Sequence, residues 1–247
     1  RSASLNDIPQ IEASGLIYLP DLNRFLLISD ETKQMAPVLY LMDHDGVIRS
    51  KTRIRGIDAI DDMEAICTDA SGNIFLACSQ SRKRDGTLPD NRKILAKIKR
   101  TGTDFKVLKR CYLSDLLKNA AGKNRDAQWA RFIKSGDIEI EGMFYDRQDL
   151  YLGFKKPLKD GRAVILRIRE IEKALEENRI RPDRVDIRWE LDLRSDDSNT
   201  GAGISDLLFH DNRLYVLFRA GKKGCRAGML RIFDAEGILM EEYGFGN

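Results

Sequence analysis

The 247-residue sequence predicts an all-β fold of the β-propeller class. Three observations predict it: one hairpin plan recurs four times, two further strands follow each hairpin, and Asx/Gly turns punctuate the units. Four antiparallel strands, repeated radially, describe propeller blades, and a single blade cannot bury both of its faces without neighbours.

The first hairpin reads Ser14-Gly-Leu-Ile-Tyr, a turn at Pro20-Asp-Leu-Asn23, then Arg24 to Asp30. The second opens at Glu64-Ala-Ile-Cys-Thr, turns at Asp69-Ala-Ser-Gly72 and returns from Asn73 to Ser79. The third opens at Glu141-Gly-Met-Phe-Tyr, turns around Asp146-Arg-Gln148 and returns from Asp149 to Phe154. The fourth opens at Ser205-Asp-Leu-Leu-Phe, turns at His210-Asp-Asn212 and returns from Arg213 to Phe218. Third strands are expected at 38–42, 94–98, 163–168 and 229–233, and fourth strands at 47–54, 105–113, 185–193 and 238–243. Asp45-Gly46 and Glu236-Gly237 supply turn chemistry between the last two strands of the first and last units. Four repeats are visible, and their spacing leaves room for a fifth, degenerate blade.

Two helical insertions interrupt the pattern. Leu116, Leu117, Ala120 and Ala121 follow helical spacing within 114–134, with Ser114 placed as an N-cap. Ile168, Ile171 and Leu175 share one face of a second helical stretch over 169–178. Such helices are expected outside the blades. No Pro- or Ser-rich linker divides the chain, so residues 1–247 read as one propeller domain.

Composition narrows the function. Forty-two basic and 39 acidic residues leave a formal charge of +3, which gives no support to nucleic-acid binding. No apolar run approaches bilayer-spanning length, so a soluble protein is expected. The chain opens Arg1-Ser-Ala-Ser, which points to trimming or processing. Cys67, Cys78, Cys111 and Cys225 lack zinc-ligand spacing and read as small core residues, while His44 and His210 sit beside Asp in turn-like stretches. Asp43-His-Asp45-Gly46 reads as turn chemistry rather than a calcium loop, and 81–86 reads as a basic solvated loop. No nucleophile elbow is present.

Hairpin geometry brings distant side chains to one rim. Innermost strands start there with Glu12 and Ser14, Asp62 and Glu64, Glu139 and Glu141, and Ser205 and Asp206. Second strands return there with Asp30 and Glu31, Arg82 and Lys83, Lys155 and Lys156, and Arg219. Period-two alternation places Glu12 with Ser14, Asp62 with Glu64 and Glu139 with Glu141 on shared faces. Converging carboxylates repel unless neutralised, and calcium accepts several carboxylate oxygens in flexible geometry. Glu12, Glu64, Glu141 and Asp206 are the candidate metal ligands. Asp62, Arg82, Glu139, Lys155 and Arg219 are candidate ligand-binding residues, because Arg and Lys either pair with the carboxylates or hold an anionic ligand.

Glu12-Ala-Ser14-Gly-Leu, Asp62-Met-Glu64-Ala-Ile, Ile140-Glu141-Gly-Met and Gly203-Ile-Ser205-Asp-Leu resemble blade openings of the bacterial SdiA-regulated propeller family. They also resemble the related phytase-like or esterase-like propeller domains of unknown function. Ala77-Cys-Ser-Gln-Ser81-Arg-Lys-Arg and Gly153-Phe-Lys-Lys-Pro157, followed by Gly161-Arg-Ala, are similar to segments of the latter. The resemblance runs from Ile11 to Phe233 and implies a bacterial protein, periplasmic or otherwise extracytoplasmic, with about five blades and calcium at its axis. Glu64 and Glu141 match the blade-opening Glu, whereas Ser14 and Ser205 depart from it, and Asp206 stands where Gly is usual.

Three functions compete at this point. One is a binding module whose charged rim takes calcium, a small anionic ligand or a protein partner. Another is a calcium-dependent phosphoesterase or esterase-like hydrolase, with Glu64, Glu141 and Asp206 on the metal and Arg82, Lys155 and Arg219 on the anion. The third is a structural propeller whose rim charges only staple blades together.

Overall fold

A computed structural model describes residues 3–4, 11–30, 32–194, 201–220 and 227–245. The chain is mostly β with few helices, and its contacts divide into two compact units, Arg1–Leu113 and Ser114–Asn247. Each described unit contains two four-stranded antiparallel meanders in which consecutive strands are neighbours. That is the form of a propeller blade.

In the first unit, β1 (Ala3–Ser4) precedes the meander β2 (Ala13–Leu19), β3 (Arg24–Ser29), β4 (Val38–Met42) and β5 (Val47–Arg55). The second meander is β6 (Met63–Thr68), β7 (Ile74–Cys78), β8 (Ile94–Thr101) and β9 (Asp104–Tyr112). Outer strands β5 and β9 pair in parallel, Ile54 with Phe105, and so join the two meanders into one sheet. Both residues are fully buried in a core of Leu26, Ile28, Leu76 and Ile98. Cys67, Cys78 and Cys111 are buried thiols, as expected for small core residues; Cys225 and Glu31 lie outside the described residues. Burial pushes the Cys78 thiol well above its usual pKa, the nearby Asp62 charge adds to this, and burial raises Cys111 to about 12.

The second unit holds β10 (Glu139–Asp146), β11 (Asp149–Lys156), β12 (Ala163–Ile168) and β13 (Val185–Leu191). Its second meander is β14 (Ile204–His210), β15 (Arg213–Ala220), β16 (Ala227–Asp234) and β17 (Leu239–Phe245). Stacked Phe144 and Tyr151, with ring centroids 4.3 Å apart, pack with Trp189 and Phe209 in this unit's core.

The expected insertions are present with different boundaries. Residues 113–134 form two helices, α1 (Leu113–Lys123) and α2 (Gln128–Lys134), and α2 packs on β13. Ser114 lies inside α1 and is fully buried, so it is not the N-cap; an apolar Leu113 opens the helix, and Leu113, Leu117 and Ala121 are each fully buried. The later helix, α3 (Ile171–Glu176), buries Ile171, Ala174 and Leu175, the apolar face that its spacing predicted. None of these helices is long and apolar enough to cross a membrane.

One Asp-based turn recurs. Asp43, Asp69 and Asp234 each accept, through Oδ1, the backbone N–H groups two and four residues on. Gly46, Gly72 and Gly237 complete these turns at positive φ, which an L side chain tolerates poorly. The Asp43-His-Asp45-Gly46 stretch is therefore a turn, as its sequence predicts. His44, exposed on that turn, meets Asn23 Oδ1 at 3.0 Å and packs edge-on to Phe25.

Candidate functional site

The four repeated blade openings coincide with four β-bulges. Register runs from Ala13↔Ser29 to Gly15↔Ile28, Met63↔Cys78 to Ala65↔Ala77, Ile140↔Phe154 to Gly142↔Gly153, and Ile204↔Phe218 to Asp206↔Leu217. In each case one residue is extra: Ser14, Glu64, Glu141 or Ser205. Bulges bend a strand and re-aim its side chains, and they concentrate beside functional sites. Simple alternation is therefore interrupted at the very positions where it was expected to align neighbouring acids.

The residue after each bulge is small where another inner strand packs against it. A Cβ on Gly15 would lie 2.9 Å from the Ile66 side chain, and one on Gly142 would lie 2.7 Å from Leu207 Cγ. The fourth such position carries Asp206, half-buried, whose Oδ1 accepts the Leu207 N–H at 2.8 Å. Burial drives its carboxyl pKa up to about 7, opposed by that one hydrogen bond.

In the first unit, β6 starts beside the end of β3, where Asp62 N–H donates to the Asp30 carbonyl at 3.1 Å. Asp62 adopts a left-handed φ of 63°, between the turn from β5 and the bulge at Glu64. One carboxylate oxygen from each of Asp30, Asp62 and Glu64 lies within 4.8 Å of the others. These three half-buried acids could hold a metal ion. Asp62 also accepts hydrogen bonds from the hydroxyls of Ser79 and Ser81, the latter at 2.9 Å.

Cations border the acids without belonging to the triad. Arg92 places Nε 2.9 Å from Asp61 and Nη1 3.2 Å from Asp62, and Lys83 lies 3.3 Å from Asp61. Burial alone would lower the Arg92 pKa, but the two carboxylates raise it on balance. Backbone bonds from Gln80 N–H to the Arg92 carbonyl and from Asp61 N–H to the Asn91 carbonyl fix this end of the loop. Sequence reasoning passed over Arg92 and Asp61, because a pair 31 positions apart leaves no local signal.

Arg82 does not occupy the position of Lys155 and Arg219. Register puts Ser79 there, and Arg82 instead stands three residues beyond it in the loop, donating to the Gly86 carbonyl at 2.8 Å. Glu12, at the start of β2, is exposed, and its carbonyl accepts the Asp30 N–H at 3.2 Å.

In the second unit the charges pair directly. Lys155 contacts buried Glu141 and lies 3.1 Å from Glu139, while Lys156 lies 2.7 Å from Glu139. Burial raises the Glu139 pKa, yet Lys156 and Lys155 outweigh it and hold the carboxyl below its ordinary value. Lys155 is likewise raised, burial opposing and Glu141 and Glu139 prevailing. Arg219 occupies the matching end of β15 and is exposed.

Blade-form meanders make this a mostly β protein of propeller-like form, with an acidic group at one strand junction that could hold a metal. Residues 113–242, more than half of the chain and nearly the whole second unit, match the family described as "Protein of unknown function (DUF3616)". The chain belongs to that family. No curated protein matches. Among solved structures it is similar to Kuenenia stuttgartiensis hydrazine synthase, at 8% identity and TM-score 0.45, over 96% of this chain and 50% of that one. It is also similar to the Neurospora crassa Pan2 WD40 domain, at 11% identity and TM-score 0.43, over 94% and 52% of the two chains. A third similar structure is the WD40 β-propeller domain of Doa1, at 9% identity and TM-score 0.38, over 95% and 69%. The chain thus spans about half the length of the first two.

Proposed function

We propose that this chain is a propeller-type binding module whose first unit holds a hard divalent cation, calcium before others, between Asp30, Asp62 and Glu64. The observation that carries the reading is the approach of three carboxylate oxygens within 4.8 Å, drawn from two meanders. An all-oxygen donor set suits calcium or magnesium rather than the softer transition metals, and flexible carboxylates favour calcium. The hydroxyls of Ser79 and Ser81 support the donor set by fixing Asp62.

The calcium expectation moves within the chain. Glu64 stays in the proposed donor set, Asp62 joins it from the ligand-binding group, and Asp30 is added. Glu141 is committed to Lys155, so in that meander the charges read as a staple. Four blades, a single domain over 1–247, kinship with the SdiA-regulated and phytase-like propellers, and an extracytoplasmic location complete this reading. So does a small anionic ligand or protein partner bound beside the cation.

Calorimetric titration with calcium tests the central claim. Saturable uptake by the parent and its loss in Asp30→Asn/Glu64→Gln are expected. A parent that takes up neither calcium nor magnesium, with a melting curve unmoved by chelator, sinks the proposal.

A further inference from the structure

The geometry points to a second site, in the groove between α1 and the segment after α3, for a small amphipathic ligand carrying one carboxylate. The groove encloses about 480 Å³, within the range that accommodates small organic ligands. Leu116, Ala120 and Ile180 give it an apolar wall, and Lys123, Arg179 and Glu177 are the charged groups that line it. Ala120 and Ile180 are buried, whereas the charged side chains are exposed.

The cations of this groove differ from their neighbours. Arg167, Arg169, Arg181 and Arg184 are all engaged with nearby carboxylates. Among the described residues, neither Lys123 nor Arg179 has a side-chain ion pair or hydrogen bond. Two uncommitted cations facing one groove, beside an apolar wall, complement a carboxylate with an aliphatic or aromatic body. Glu177 on the same lining disfavours a second negative charge on the ligand. Lys123 also sits in the last turn of α1, where a cation complements the helix dipole; that role needs no ligand.

Titration of the whole chain with hexanoate, hexanol and the dianion adipate separates these roles. Hexanoate is expected to bind saturably and more tightly than either comparison compound. Lys123→Gln/Arg179→Gln is expected to weaken it about tenfold, since each exposed charge pair contributes modestly. Ile180→Glu, which puts a charge on the apolar wall, is expected to abolish binding, and the double variant guards against misfolding of this one. Equal binding of hexanoate and hexanol, undiminished binding to the double variant, or no hexanoate binding at all overturns the inference. Calcium uptake at Asp30, Asp62 and Glu64 plays no part in this outcome.

Discussion

The junction between inner strands is built twice, and the two versions use opposite charge. Where β6 starts beside the end of β3, the bulge residue is Glu64, the residue two before it is Asp62, and the returning residue is Asp30. Where β14 starts beside the end of β11, the equivalent residues are Ser205, Gly203 and Lys155. Three carboxylates in one junction thus correspond to a hydroxyl, a glycine and an ammonium in the other. The backbone device is the same, while the second junction carries its own cation and neutralises Glu139 and Glu141 with it. The first relies on Arg92 for Asp62 and leaves a cluster with the chemistry of a cation site. The same backbone device therefore carries an ion-pair staple in one junction and, in the other, an acidic group that could hold a cation.

The harshest way to break this comparison is Gly203→Asp, which writes the Asp62 residue into the second junction. A Cβ at Gly203 would lie 2.1 Å from the Lys155 carbonyl oxygen, a backbone atom that cannot step aside. A loss of at least about 3 kcal/mol is expected from such overpacking, read by urea unfolding. An unchanged midpoint would show that the two junctions are interchangeable.

Calcium offers the next largest effect. At a hundredfold excess over its Kd it should stabilise the state that binds it by about 2.7 kcal/mol. Hydrogen exchange should slow at β2, β3 and β6 more than at β10, β11 and β14. Uniform protection of both units would contradict a local site.

Asp206 sharpens the contrast at the position after the bulge, where the first unit has Gly15 and Ala65. Its folded pKa of about 7 lies above the ordinary value of 3.8, so the folded state keeps a proton that the unfolded chain releases. That stabilisation is complete below the unfolded pKa and disappears as pH rises through 7. Asp206→Asn should therefore gain on the parent between pH 5 and pH 8 by about 2 kcal/mol, read as the difference between unfolding midpoints at the two pH values. A gain that does not change with pH would show that Asp206 keeps no such proton in the folded state.

The smallest effect is expected at the staple. Lys155→Met takes the Lys155 cation away from buried Glu141, and the partial exposure of Lys155 keeps the cost to about 1 kcal/mol near neutral pH. Glu139 has a depressed folded pKa, so its contribution is present above the unfolded value and fades as pH falls through the folded one. The difference between parent and variant should shrink in acid, and a difference that grows there would argue against the pairing.

Much of this protein is legible in its sequence, because the controlling interactions are local. Alternating apolar residues, Asp-based turns and the repeated blade opening determined the strands, their order and the hairpins that join them. The equivalence of Ser14, Glu64, Glu141 and Ser205 was legible too, since each repeat writes its own bulge. Helix boundaries were less so: Leu113 opens α1 through tertiary burial, while the cap propensity of Ser114 suggested a later start. Only the tertiary structure decided which charges meet. Register displaced Arg82 from the rim position and put Ser79 there, and the fold of the loop after β7 carried Arg92 back to Asp61 and Asp62. The physical reason is range: propensity and alternation act over a few residues, whereas ion pairing acts through space between residues that only register and bulges bring together.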